Sequence, residues 1–306
     1  MTSIALIGPG AIGGTVGFAL AEQGHDLVVC AHQKFETLAV TRADSGERRA
    51  HKVKVITSPS QLASSSEAIG QINAKPADWV LLCVKSHQTD SAAAWLKATI
   101  GPKTKVAVLQ NGVEHREHVA PYVASGNSVL PVVVILPAER TRPGEITSYG
   151  GAALTVQDDA AGREFAALFA GSFVKVSADA DFVSRSREKL CMNAPSGALC
   201  ALTLHPGAIA AFAELPALAE KIVEETMAVG RAEGAKFPDG FAKHIVGLFN
   251  RPGGRGNSMY YDRRDGKPLE WEARNGVVQR LGRKHGIPTP ISDVIVPLLK
   301  ALGPSA

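Results

Sequence analysis

Little in this chain is extreme, and each shortage removes a class of explanation. There are four cysteines in 306 residues. Cys30, Cys83, Cys191 and Cys200 stand in apolar runs with no C-x-x-C pair, which favours reduced core thiols over disulfides or structural zinc. Long apolar runs are missing too: none reaches the roughly 18 to 20 residues that span a bilayer. The opening "MTSIALIGPG" lacks the basic, apolar and small-residue order of a signal peptide, so a cytoplasmic protein without a membrane partner is expected. Charge of one sign is also scarce, because 33 Lys+Arg against 29 Asp+Glu leave a formal net charge of +4. That is too mild and too dispersed for a nucleic-acid surface. The densest basic clusters, Arg48 to Lys54 and Arg251 to Arg264, are interleaved with other polar residues and read as loops or contacts for a small anion. His115 and His118 are separated by two residues, but no nearby Cys or carboxylate triad completes a site, so no metal is expected and a polar helix face accounts for both.

What is present is the composition of a globular protein, 45% hydrophobic and 20% charged, long enough for one large domain or two ordinary ones. The stretch "SIALIGPGAIGGTVGFALAEQGHDLVVCA" runs from a short apolar strand through a glycine loop into a helix and then a second strand. The loop residues Gly8, Pro9, Gly10, Ala11, Ile12 and Gly13 form the dinucleotide-binding pattern, with glycines for a tight turn, for close approach of a pyrophosphate and for helix packing. The helix N-terminus adds free N–H groups and a positive dipole for phosphate. In the NAD version of this unit an acidic residue closes the second strand and takes the ribose 2′-hydroxyl. Here "DLVVCA" ends in His32, Gln33 and Lys34, and a cation in place of a carboxylate favours NADPH.

The β/α rhythm continues through "KVKVI", "DWVLLCV", "KVAVLQ", the paired strands "SVLPVVVIL" and "GAALTV", a helix over Ala160 to Ala170 and the strand "FVKVS". The expected fold class is therefore α/β, an N-terminal Rossmann-like doubly wound sheet over 1–177 followed by an all-helical domain over 178–306. Lys85 and Asn111 fall at the carboxyl ends of two strands, where such sheets bind ligands. Beyond Ser177 helices are expected over Asp181 to Leu202, Leu215 to Glu233, Phe241 to Phe249, Leu269 to His285 and Pro290 to Leu302, with a glycine-rich polar loop before the fourth. In the first of these, Lys189 and Asn193 share a face with Gly197, and Pro195 interrupts the hydrogen-bond ladder beside them. A buried lysine there must be paired or lose proton affinity.

With the glycine loop, Lys85, "LQNGV", "KLCMN" and "NSMYYD…PLEWEARNG" in order, the chain resembles the ketopantoate reductase family over nearly its whole length. The resemblance implies NADPH-dependent reduction of a 2-keto acid, 2-dehydropantoate being the leading substrate. It implies Lys189 as general acid and Glu270 as support for the hydrogen-bond network. Asn111, Asn193 and Ser258 would hold the keto acid's oxygens, with Lys85 facing both cofactor and substrate, Asn111 also facing the cofactor, and Asp262 ordering a loop. A homodimer is expected through the helical domain. The family often carries a second asparagine four residues beyond the first, where this chain has Gly197, so one substrate contact is missing or supplied elsewhere. The competing readings are a hydroxy-acid dehydrogenase working in the oxidising direction and a catalytically silent NADP-binding sensor.

Overall fold

The computed structural model describes residues 1–63, 76–249 and 255–303. Contacts divide the chain into two compact units, Met1–Gln110 with Glu114–Phe182, and Asn111–Val113 with Val183–Ala306.

The first unit begins with β1 (Ser3–Ile7), whose Ile4 to Ile7 are all buried, the unalternating pattern of a strand covered on both faces. It continues through α1 (Ala11–Glu22), β2 (Asp26–Cys30), β3 (Thr37–Arg42), β4 (Arg48–Lys52), β5 (Lys54–Ile56), α2 (Ser60–Ala63), β6 (Trp79–Leu82), α3 (Ala93–Thr99) and β7 (Lys105–Val108). Beyond these lie α4 (His115–Val119), β8 (Val129–Pro131), β9 (Val133–Ile135), β10 (Ala138–Arg142), β11 (Glu145–Ser148), β12 (Ala153–Gln157), α5 (Ala160–Ala167) and β13 (Lys175–Asp179). A six-stranded parallel sheet in the order β5-β2-β1-β6-β7-β8 forms the Rossmann-like centre. β9 pairs antiparallel with β12, as expected for the two stretches that contain them, within a separate three-stranded sheet β13-β12-β9.

A further four-stranded sheet, β10-β11-β3-β4, corrects the expectation of a loop at Arg48 to Lys54. β4 is its edge strand, and its charges suit an exposed edge while hiding the two-residue alternation that would mark a strand. Arg48 pairs with Glu145 at 2.7 Å and Arg49 with Glu22 at 2.6 Å, tying that edge to β11 and α1. α1 lies between this sheet and the six-stranded one, and its glycines make the fit possible. A Cβ on Gly14 would meet Ile146 at 2.5 Å, and one on Gly17 would meet Leu38 and Leu6 at 3.0 Å. All four cysteines are buried and free of disulfides, and burial pushes the Cys30 thiol up to about 12.

The second unit is helical: α6 (Phe182–Thr203), α7 (Ala208–Ala211), α8 (Leu215–Ala232), α9 (Phe241–Phe249), α10 (Ser258–Arg264), α11 (Val277–His285) and α12 (Pro290–Ala301). α6 runs on through Pro195. The buried carboxylate of Glu225 on α8 accepts from the backbone N–H groups of Ile291 and Ser292 at 2.5 and 2.9 Å and from Ser292 Oγ at 2.8 Å. It thereby meets the unsatisfied donors at the N-terminus of α12. No helix among the described residues is long and apolar enough to cross a membrane.

Two expectations about the polar segment before α11 need correction. Ser258–Arg264 is a helix, not loop, because Asn257 caps it, its Oδ1 accepting from Tyr260 N at 3.1 Å. Residues 250–254 of the expected loop lie outside the described residues. The helix expected from Leu269 instead begins with a π-turn over Glu272–Gly276, in which Gly276 N–H donates to the Trp271 carbonyl at 2.9 Å. His115 is buried and not on a polar face, its Nε2–H donating to the Gln110 carbonyl at 3.0 Å.

Candidate active site

In the first unit the glycine loop closes between β1 and α1. Gly8 has φ of +90°, which a side chain rarely adopts, and a Cβ there would strike Val84 at 2.6 Å. A Cβ on Gly13 would lie 2.3 Å from the Gly8 carbonyl oxygen, so the start of α1 packs on the turn itself. Gly10 differs: it caps α1, and a Cβ there would meet nothing within 4 Å. Open space beside a helix N-terminus with no acidic residue in its first turn suits a pyrophosphate. Ala11 and Ile12 open the helix, Pro9 lies buried between the two turn glycines, and the residues fit a dinucleotide. His32 and Lys34 follow β2 and are exposed. Lys85 follows Val84, the residue against Gly8, and its backbone N–H donates to Gln88 Oε1 at 3.2 Å at the head of a 3₁₀ turn.

The second unit gathers the remaining candidates. Gln110 is buried just after β7 in the first unit, its side-chain amide donating to Thr89 Oγ1 at 3.0 Å. The next three residues, Asn111–Val113, belong with the helices. Asn111 Nδ2 donates to the Glu270 carboxylate at 3.0 Å, and Asn193 Nδ2 donates to Asn111 Oδ1 at 3.3 Å. The order of this chain is dictated by its end. An ionised carboxylate only accepts, so Glu270 turns the Asn111 N–H₂ toward itself and presents the Asn111 oxygen to Asn193.

Glu270 is buried, as is the residue one helical turn on, Arg274, with 4.0 Å between Nη2 and Oε2. Arg274 Nη2 also donates to Ser258 Oγ at 2.8 Å. No motif singles out Arg274; its signal in "EWEARNGVV" is the four-residue spacing from Glu270, which sets a cation and a carboxylate one turn apart. Burial lowers its proton affinity, and the carboxylates of Glu270 and Asp262 oppose that. Asp262 is itself buried on α10. Lys189, half-buried on α6 one turn before Asn193, has its ammonium pushed down from 10.5 to about 8, by desolvation first and the Arg274 cation second. Asn275 is wholly buried, and neither its amide oxygen nor its nitrogen has a partner among the described residues. No group of three or more His, Cys, Asp or Glu able to hold a metal occurs among the described residues.

This arrangement of cation, amides and carboxylate can be set beside known proteins. The family model "Ketopantoate reductase PanE/ApbA" matches residues 4–160, and its C-terminal partner model matches 181–303. The chain belongs to the ketopantoate reductase family. Membership makes it an oxidoreductase. A 2-dehydropantoate 2-reductase of Caulobacter vibrioides is 39% identical over 305 residues, covering 98% of this chain and 99% of that one. The solved ketopantoate reductase of Ralstonia eutropha is 29% identical with a TM-score of 0.85, covering 98% and 97%. A dimeric ketopantoate reductase of Staphylococcus aureus is 25% identical with a TM-score of 0.83, covering 98% of each chain. The ketopantoate reductase fold, a Rossmann-like sheet followed by helices, is the one observed here.

Proposed function

We propose that this ketopantoate reductase family member reduces a 2-keto acid to the 2-hydroxy acid, with ketopantoate the leading substrate and NADPH the reductant. The observation that carries the reading is Lys189, an ammonium held near a pKa of 8 on the same helix face as Asn193. Reduced nicotinamide supplies the hydride when bound. The chain's own work is to hold the keto acid and to deliver a proton to the oxygen on which charge develops. A lysine at its ordinary pKa of 10.5 is a poor donor near neutrality, and desolvation brings Lys189 into range. Asn111, Asn193 and Ser258 hold the substrate oxygens as neutral donors. Glu270 fixes the orientation of both asparagines and lies 4.0 Å from the Arg274 guanidinium. Gly8 through Gly13, with His32, Lys34 and Lys85, hold the cofactor, His32 and Lys34 being the groups offered to a 2′-phosphate. The cofactor role falls to 1–177 and the substrate and dimer role to 178–306, the dimer resting on the S. aureus relative.

The test is NADPH consumption by the purified protein with ketopantoate, beside a panel of other 2-keto acids and with NADH as control. NADPH-selective turnover of ketopantoate supports the reading in full. Turnover of another keto acid alone keeps the mechanism and changes the substrate. Tight NADPH binding with no turnover on the whole panel would overturn it in favour of a silent sensor.

A further inference from the structure

Serine is the most ambiguous of the candidate substrate-holding groups, since a hydroxyl both donates and accepts. Arg274 narrows the choice. A guanidinium only donates, so at 2.8 Å from Nη2 the Ser258 oxygen is the acceptor and its own proton must point elsewhere. That proton is then offered to a partner that brings a lone pair, as a carboxylate or carbonyl oxygen does. Two further features fix the guanidinium. Buried acids, Glu270 at 4.0 Å and Asp262, keep it charged. The other feature is a void. A Cβ on Gly197 would come within 2.9 Å of Arg274 Nη1 and 2.9 Å of Met259 Sδ, so Arg274 lies in space that a side chain at 197 would take.

We propose that Arg274 is a positioning residue that sets substrate specificity, seated over Gly197 and turning the hydroxyl proton of Ser258 toward the carboxylate or carbonyl of a 2-keto acid. The assignment rests on the keto acid reading above. One buried arginine, reached from the π-turn, thereby does the work that a polar side chain on α6 at position 197 would otherwise do.

The test is a double-mutant cycle on the full-length protein, comparing wild type, Ser258→Ala, Arg274→Met and the pair. Each is read by the KM and kcat for the keto acid that wild type reduces, and by calorimetric binding of oxamate in the presence of NADPH. Oxamate carries the carboxylate and adjoining carbonyl but does not depend on turnover. Each single change is expected to weaken oxamate, and to raise KM, at least about tenfold, with the pair within about twofold of the worse single because one hydrogen bond is lost either way. Arg274→Lys should restore part of the affinity. Arg274→Met should also move the alkaline limb of the pH profile upward, since one of the two causes that lower Lys189 is gone. A merely structural arginine would not produce the coupling with Ser258. Gly197→Ala, which keeps the cation and displaces it, carries the test should Arg274→Met fail to fold, and the same loss is expected. Losses that multiply in the pair, or oxamate binding unchanged in Arg274→Met and Gly197→Ala, would overturn the assignment while leaving keto acid reduction standing. A protein that reduces no keto acid yet binds oxamate with the coupled cycle would overturn the function and keep Arg274 in its role.

Discussion

Lys189 carries opposite demands at the scale of a single residue. Its ammonium is destabilised by the burial that, on the proposed function, makes it a useful acid, so function and stability would pull against each other there. The sign follows from linkage: with its folded pKa near 8 and its ordinary value 10.5, the folded state binds the proton less well than the unfolded chain. Below pH 8 the folded protein bears the whole cost, which fades as pH rises from about 8 to 10.5. At ~1.4 kcal/mol per pH unit the penalty is up to about 3.5 kcal/mol. Lys189→Met is therefore expected to raise the melting temperature by several degrees at pH 7 and to lose that advantage above pH 10, while kcat/KM falls at least about 10²-fold. Thermal unfolding at the two pH values, with turnover at pH 7, checks both halves. A melting temperature unchanged or lowered at pH 7 would show that the ammonium is not under strain. In wild type, reduction should fall about tenfold per pH unit above 8, because the acid must be protonated. The reverse oxidation should rise through the same pH, since the same group then serves as base.

At the scale of elements, the glycine loop and α1 separate two uses of glycine that look alike in sequence. Gly13 is required by packing, with the Gly8 carbonyl 2.3 Å from where its Cβ would be, while Gly10 has open space and an ordinary φ of −74°. Gly13→Ala should lower thermal stability measurably without ligand. Gly10→Ala should leave the melting temperature within about a degree, a surface change being worth less than ~0.5 kcal/mol, yet weaken NADPH at least about tenfold if the pyrophosphate takes that space. Equal NADPH affinity in Gly10→Ala, read by fluorescence titration, would place the cofactor elsewhere. Much of this unit was legible because buried parallel strands are apolar throughout and the loop's glycines sit between strand and helix. The sheet formed by β10, β11, β3 and β4 was not, since an exposed charged edge carries no alternation. Its trace was present in Gly14 and Gly17, which add no loop function and mark the close approach of a second layer. In the helical unit, the Lys189 and Asn193 face was readable from four-residue spacing. The Asn257 cap of α10 was masked by the glycines before it, and the buried role of Arg274 depends on contacts with Gly197 and Ser258 that lie far away in sequence.

For the whole molecule, the chain order and the structural units disagree, and the disagreement rests on specific contacts. Asn111–Val113 lies in sequence between β7 and α4 but belongs to the helical unit. Gln110, just before it, is held by Thr89 at 3.0 Å and by His115 at 3.0 Å, so the departure point is fixed by side chains of the first unit. The three residues then do three things in the second. Asn111 donates to Glu270, Gly112 sits at φ +112° with only 3.2 Å between a would-be Cβ and Ala273, and Val113 packs on Leu190, Val229, Val277, Val278 and Leu281. A substitution in this stretch should therefore be felt by helices more than seventy residues away and little by the neighbouring strands. Val113→Asp sets a carboxylate against five buried apolar side chains and should cost about 2 kcal/mol or more. Hydrogen exchange followed by mass spectrometry is expected to show lost protection in α6, α8 and α11, with β1, β6 and β7 unchanged. Loss confined to β7, β8 and α4 would mean that Asn111–Val113 is an ordinary loop of the sheet, and that Glu270 is oriented without help from Asn111.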